Sequence, residues 1–346
     1  MHRWRKLELL ILGLFLVGCQ SPEPQIIIHT RVVEATAPCP TRETTRLVRE
    51  IVTATPAPPT PTPSPPVVRL ALPPLKNNGL RERAQLAGQL GAWLTAHGGL
   101  AVRVILPADE RQSVASLCAG EAEIAWLSVP AYLLARETCG VEAVLRPMRE
   151  ESAQRTQIVV QSDEWRRARG LGPLRSLRDL DGLTLGFTDP HAIGGYIIPR
   201  AMLAQAGVAP GAQVFLGGDA QAFLAVYRGE VDAAACLWRP PRNDTSPADA
   251  RVALLETYPD ALRALETIRL SDAVPNEPLV VRSDLSPAVR ADLMAALVEL
   301  GRSEEGGRLL RELGDVIGWV TTRDGDYDVV REALRLLQLG AEQVLD

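Results

Sequence analysis

Side chains able to ligate a metal or attack a substrate are few in this chain. It holds five Cys and four His in 346 residues, and only His97 and His191 fall in the part that reads as folded. Neither His belongs to an H-E-x-x-H pair and no C-x-x-C occurs, so zinc has no ligand set to start from. No P-loop or G-x-G-x-x-G is present. An enzyme, a metal and a cofactor are therefore not expected. Besides Cys19 the thiols are Cys39, Cys118, Cys139 and Cys236, a set that allows several connectivities and whose spacing selects none. Cys118 and Cys139 flank one helix–strand–helix unit. In an oxidising compartment they could pair; otherwise they stand as two buried thiols.

The compartment is set by the first residues. His2-Arg-Trp-Arg-Lys6 is cationic, Leu7 to Val17 is an apolar run with one charge, and Leu16-Val17-Gly18-Cys19 ends it. A basic start, a short apolar run and a small residue before the cleavage point make a secretory signal. The run is too short to span a bilayer permanently. Its ending resembles the lipobox of bacterial lipoproteins, which implies that Cys19 is lipidated and becomes the mature N-terminus. The other readings are an ordinary signal or an anchor helix. Residues 19–66 carry 11 of the 27 Pro, which remove donors and fix φ, so this stretch reads as a Pro-rich tether rather than a fold.

Those segments serve a core of 280 residues, 67–346. A hydrophobic share of 46% against 23% charged excludes a disordered or fibrous chain for most of the length. Net charge is −5 with 4% aromatic residues, which leaves no electrostatic or stacking case for nucleic acid. Strand-like runs at 67–73, 101–106, 122–127 and 141–146 alternate with helical spacing at 80–95, 113–120 and 130–137. The rhythm resumes with strands 183–188, 212–216 and 231–237 and helices 194–206 and 220–229. Further helical spacing covers 286–300 and 303–313. Such alternation predicts parallel sheets covered by helices, here in two α/β lobes with ligand at the carboxyl ends of the strands.

Four stretches, in this order, resemble the phosphate/phosphonate-binding proteins of ABC importers. They are Cys118-Ala-Gly-Glu-Ala-Glu-Ile-Ala-Trp-Leu-Ser-Val-Pro-Ala-Tyr132, Asp179-Leu-Asp-Gly-Leu-Thr-Leu-Gly-Phe-Thr-Asp-Pro190 with Gly195-Tyr-Ile-Ile-Pro199, Ala225-Val-Tyr-Arg-Gly-Glu-Val-Asp-Ala-Ala234, and Val274-Pro-Asn-Glu-Pro-Leu-Val-Val-Arg282. The resemblance, over 67–335, implies a type II periplasmic binding-protein fold: two lobes, two crossing strands, a solute held between. Residues 1–18 would be the signal, 19–66 the tether, 67–157 plus 278–346 lobe one, and 158–277 lobe two.

The family's binding logic aims a helix N-terminus at an anion, where free N–H groups and the dipole stabilise negative charge. In this chain the resemblance puts that turn at Thr188-Asp-Pro-His191-Ala-Ile193-Gly194-Gly195. Where the family places three hydroxyls this sequence has Ala192, Ile193 and Gly194, and where the family has a His after Gly-Ser it reads Gly217-Gly-Asp219-Ala220, with Ala220 in place of the His and Asp219 adding a carboxylate. Asp232 matches a position that contacts an amine on the ligand; a strand-end carboxylate in solvent is the plainer reading. Ser128 and Tyr132 end the third strand facing the expected cleft, with Tyr132 equally readable as core. Asn77 follows the first strand in a Gly79-containing loop, from which it would donate to the ligand or serve as part of an ordinary turn. Asp326 and Tyr327 read as structural. The expected protein is a lipid-anchored, extracytoplasmic receptor that passes a small, anionic solute to an ABC permease. A sulfonate, nitrate, pyrimidine precursor or more cationic solute fits the same fold, as does service as a sensor for a membrane signalling protein.

Overall fold

The computed structural model describes residues 67–73, 79–150, 153–240 and 248–345. Cys19, Cys39, Asn77, the signal segment and the tether lie outside them. The described chain opens with β1 (Val67–Ala71), α1 (Leu80–Gly98), β2 (Ala101–Ile105), α2 (Glu110–Cys118), β3 (Ile124–Trp126), α3 (Val129–Cys139) and β4 (Glu142–Met148). A second run follows: β5 (Ala153–Gln161), α4 (Asp163–Ala168), β6 (Thr184–Phe187), a π-turn (Ile193–Ile197) leading into α5 (Ile198–Gln205), and β7 (Ala212–Phe215). It continues through α6 (Asp219–Arg228), β8 (Ala233–Trp238), α7 (Ala261–Ala264), β9 (Leu265–Leu270) and β10 (Val274–Pro275). The chain closes with β11 (Leu279–Val281), α8 (Pro287–Arg302), α9 (Glu304–Gly314), β12 (Gly318–Thr321) and α10 (Asp328–Leu336).

Two sheets result. The first runs β12-β4-β11-β3-β1-β2; the second runs β10-β5-β8-β6-β7, with β9 also on β5. Strands joined by helices pair in parallel, as β1 does with β2 and β3, and β6 with β7 and β8. The sheets are nevertheless mixed, because β11 and β12 return from the far end of the sequence and lie antiparallel to their neighbours, as β5 does to β8 and β9. Helix periodicity shows the parallel units; it carries no information about strands that come back from another lobe.

The chain changes sheet between Met148 and Ala153 and again between Pro275 and Leu279. The first change falls earlier than the expected boundary after residue 157. That boundary cuts β5 in half, yet Arg155 to Val160 all pair with β8 in the second sheet. The two connections are tied together: Asn276, buried in the second, donates through Nδ2 to the Pro147 carbonyl ahead of the first at 3.0 Å. α8 and α9 pack Leu293, Leu297, Leu300, Leu309 and Leu310 onto the first sheet's Leu70, Ile124 and Leu145. α10 behaves differently. Its Val330, Ala333 and Leu334 share a core with Tyr132 and Tyr327 of the first half and with Ile197, Ile198 and Ala201 of the second, so one apolar seam joins both halves.

Candidate functional site

The parallel strands of both sheets end on the same cleft. Between them lies a cavity of ≈ 270 Å³. Pro73 after β1, Glu110 at the start of α2 and Ser128 at the start of α3 line it from the first sheet. Arg155 and Thr156 of β5 and Ile193 and Gly194 of the π-turn line it from the second, with Asn276 and Glu277 of the second connection at the junction. Loops at the carboxyl ends of parallel strands are where open α/β sheets hold ligands.

Local sequence explains each placement on the first wall. Asp109 caps α2 by accepting the Gln112 N–H at 2.7 Å, which starts that helix three residues ahead of its expected first residue and brings Glu110 to the rim. Ser128 caps α3, accepting the Ala131 N–H at 3.3 Å, and Pro130 sits in the first turn, where a missing N–H costs nothing. Glu110 and Ser128 then meet: the Ser128 hydroxyl donates to Glu110 Oε2 at 2.5 Å and the Ser128 N–H to Oε1 at 3.3 Å. At their other ends the same two helices are joined by the Cys118–Cys139 disulfide. The fifth thiol, Cys236, is buried and free, and burial pushes its pKa well above the usual value.

On the second wall the helix expected over 194–206 is present, and its first turn, Ile193–Ile197, is widened to π geometry without a side-chain cap. Thr156 Oγ1 donates to the Gly194 carbonyl at 2.5 Å. The two glycines differ in what they need. A Cβ at Gly194 would meet only Thr156 Oγ1, at 3.5 Å, whereas one at Gly195 would come within 1.7 Å of Thr188 Oγ1. Gly194 faces open space; Gly195 exists for close packing.

Of the expected site residues, Ser128, Ile193 and Gly194 line the cavity. Thr188 and Gly195 stand behind its wall, packed on each other, with the Thr188 N–H on the Gly195 carbonyl at 3.3 Å. His191 is on the exposed side of the turn, its N–H on Asp189 Oδ1 at 2.8 Å, and does not line the cavity. Tyr132 is core: it is fully buried, its ring meets Tyr327 edge-on at 5.1 Å, and its hydroxyl donates to Asp324 Oδ1 at 2.5 Å. Burial and then that carboxylate raise the Tyr132 pKa. Tyr327 is likewise buried, donates to the Asn276 carbonyl at 3.1 Å and is pushed up to about 12, chiefly by burial.

Asp219 starts α6 and accepts the Leu237 N–H at 2.9 Å, away from the cavity lining. Leu237 lines a second hollow of ≈ 210 Å³ that shares Gln154 and Asn276 with the first. Asp232 lies at the wrong edge. It precedes β8 and accepts the N–H of Thr184, the first residue of β6, at 3.1 Å, so it marks the amino ends of the parallel strands, opposite the cleft. Sequence reasoning missed Glu110, Thr156 and Arg155. Among the described residues no group of three or more His, Cys, Asp or Glu is arranged to hold a metal ion, and no helix is long and apolar enough to cross a membrane.

With two mixed sheets, two connections and a cleft at the strand ends in view, the likeness to known proteins is direct. Residues 81–327 match the family described as "ABC transporter, phosphonate, periplasmic substrate-binding protein". The chain belongs to that family. It is a transporter's extracytoplasmic solute-binding component and not an enzyme. XAC2383 from Xanthomonas citri, solved bound to chloride ion and to ATP, superposes with a TM-score of 0.55 at 18% identity, covering 80% of this chain and 98% of that one. PhnD1 from Prochlorococcus marinus, in complex with methylphosphonate, superposes at 0.50 with 16% identity, covering 80% and 99%. Transferrin 1 from Manduca sexta gives 0.50 at 12% identity, covering 79% of this chain and 47% of its own. At these identities the likeness establishes the type II periplasmic binding-protein fold.

Proposed function

We propose that this solute-binding protein is tethered to the membrane by lipid on Cys19 and captures a small solute in the cleft between its two sheets, for delivery to an ABC permease. The observation that carries the reading is the ≈ 270 Å³ cavity where Ser128, Thr156 and Gly194 converge from opposite sheets. A cavity walled by two lobes closes when they rotate about their connections, here the passages after Met148 and Pro275.

Gly194→Trp tests the site. A Cβ there meets only Thr156 Oγ1, at 3.5 Å, and an indole carried on it would occupy the cavity whatever the solute's charge. Native mass spectrometry of the wild type purified without added ligand should show a bound small molecule, and Gly194→Trp should lack it while folding normally. A variant that retains the solute would move the site elsewhere. For the anchor, wild type expressed in a bacterial host should partition with membranes and Cys19→Ala should not. Equal partitioning removes the lipid from the reading.

A further inference from the structure

The two hollows of the cleft lie side by side because β5 and β8 are paired there. Thr156 stands opposite Leu237, and Arg155 opposite Trp238. Thr156 and Arg155 line the ≈ 270 Å³ cavity, while Leu237 and Trp238 line the ≈ 210 Å³ hollow. Opposed residues of an antiparallel pair are about 5 Å apart, so one strand spacing separates the two linings. Gln154, the preceding residue of β5, lines both. Its side chain is exposed in the cleft, and its amide makes no hydrogen bond among the described residues, which leaves donors and an acceptor for a solute. The second hollow is not built for an ion. Two arginines and two carboxylates, Arg149 and Arg239 with Glu150 and Asp315, stand on its described lining. Arg149 is ion-paired with Glu277 and gives its Nε–H to the Gly314 carbonyl at 2.8 Å, and Arg239 lies 4.0 Å from Glu150. Charge is matched there, but apolar surface is not. Along β8, Ala233 to Cys236 are buried, whereas Leu237 and Trp238, the largest side chains of the strand, are only partly buried. Covering them is favourable. Size points the same way: at about 30 Å³ per water, the first cavity alone has room for roughly nine waters, more than a single tetrahedral anion fills.

We infer that the two hollows form one elongated binding site for a two-ended solute larger than methylphosphonate. Its polar end lies between the walls at Ser128 and Thr156, its middle passes the Gln154 amide, and an uncharged, ring-bearing end covers Leu237 and Trp238. The inference rests on the cleft being the solute site and goes beyond it in naming the solute's length and the chemistry of its far end. An aliphatic side chain and an indole at the end of one strand, with a free amide beside them, make the usual composition of a small-molecule pocket: apolar surface with a few placed polar groups.

The test is calorimetry with methylphosphonate and benzylphosphonate, which share a head and differ by a ring. Wild type should bind benzylphosphonate at least about tenfold more tightly. Trp238→Ala should bring the two affinities within about twofold, and Trp238→Phe, which keeps a ring, should retain most of the preference. Arg239→Trp guards against a folding defect at the strand end: it narrows the same hollow from an exposed position and should likewise cancel the preference. Equal wild-type affinities for the two phosphonates overturn the inference, as does a preference that Trp238→Ala and Arg239→Trp both leave intact. Where neither phosphonate binds, mass spectrometry of the molecule released from the wild type decides. A ring-bearing molecule whose occupancy falls at least about tenfold in Arg239→Trp supports the inference. An acyclic molecule, one no larger than methylphosphonate, or no retained molecule overturns it. Loss of the solute in Gly194→Trp but not in Arg239→Trp removes only the second hollow from the site, whereas its retention in Gly194→Trp removes the cleft reading itself.

Discussion

On one wall of the cleft, α2 and α3 are tied at both ends, by the Cys118–Cys139 bridge behind and by Glu110 on Ser128 in front. On the other, the π-turn carries no side-chain cap and is held by Thr156 on the Gly194 carbonyl and by Thr188 packed on Gly195. The first wall is fixed through side chains and a covalent link, so its chemistry can change with a single residue. The second is fixed through backbone, so what it offers depends on two glycines.

Removing the covalent tie should have the largest effect. The bridge closes a loop of sequence separation 21, and in the chain-entropy account such a loop contributes about 3 kcal/mol. Cys118→Ser with Cys139→Ser should lower stability by about that amount in denaturant titration. Solute binding should weaken as well, because α2 and α3 would then be held only by their packing and by the Glu110–Ser128 contact at the cleft. A double variant of wild-type stability would mean the first wall owes its rigidity to packing alone.

The second wall breaks at Gly195. An added methyl would lie 1.7 Å from Thr188 Oγ1, so Gly195→Ala should cost about 1–3 kcal/mol of stability by overpacking. Gly194→Ala, one residue away, meets nothing closer than 3.5 Å and should be near neutral. Equal stabilities for the two variants would contradict the division of labour between the glycines.

The unequal walls also explain what could be read from sequence. Alternating strands and helices revealed the parallel units, and the family resemblance carried by Asp179 to Pro199 pointed to the turn that lines the cleft. Helix α2 was expected from Ser113, because its apolar periodicity begins there. Asp109 caps it earlier, and the shift hid Glu110. Thr156 and Arg155 were hidden differently: they sit on β5, an antiparallel strand whose partner β8 is far away in sequence. Asp232 misled because a motif gives order along the chain but not the end of the strand on which a carboxylate falls. Tyr132 was ambiguous since its partner, Asp324, comes from the far end of the chain.

That pairing yields a smaller effect. Tyr132→Phe removes the hydroxyl from Asp324 Oδ1, which keeps Arg331 Nη2 at 2.8 Å. A hydrogen bond to a partly solvated, still-paired carboxylate is worth about 1 kcal/mol. Thermal unfolding at neutral pH should show a loss of that order, with solute affinity unchanged because Tyr132 does not line the cavity. A large loss of affinity would return Tyr132 to the site.

The smallest effects concern two carboxylates, one behind each wall, whose pH responses should have opposite signs. Burial pushes Asp324 up, but the Tyr132 hydroxyl together with Arg331 and Arg136 outweighs it and holds the carboxyl below its ordinary 3.8. Its contribution to stability is thus present above 3.8 and disappears as pH falls through the lowered value. Asp219 is the reverse: burial raises it above 3.8, and the Leu237 N–H and nearby Arg239 offset this only in part. The folded chain then binds that proton more tightly than the unfolded one, so stability declines as pH rises from 3.8 through the raised value, and the cost is complete at neutral pH. Asp219→Asn keeps an oxygen for the Leu237 N–H and removes the buried charge. It should raise the thermal midpoint at pH 7, with the gain vanishing near pH 3, where Asp219 is neutral in both states. Asp324→Asn should lower the midpoint at pH 7, with the loss shrinking as the solution is acidified. A lowered midpoint for Asp219→Asn at pH 7 would show instead that Asp219 is held by its partners as firmly as Asp324, and the contrast between the walls would not extend to their charges.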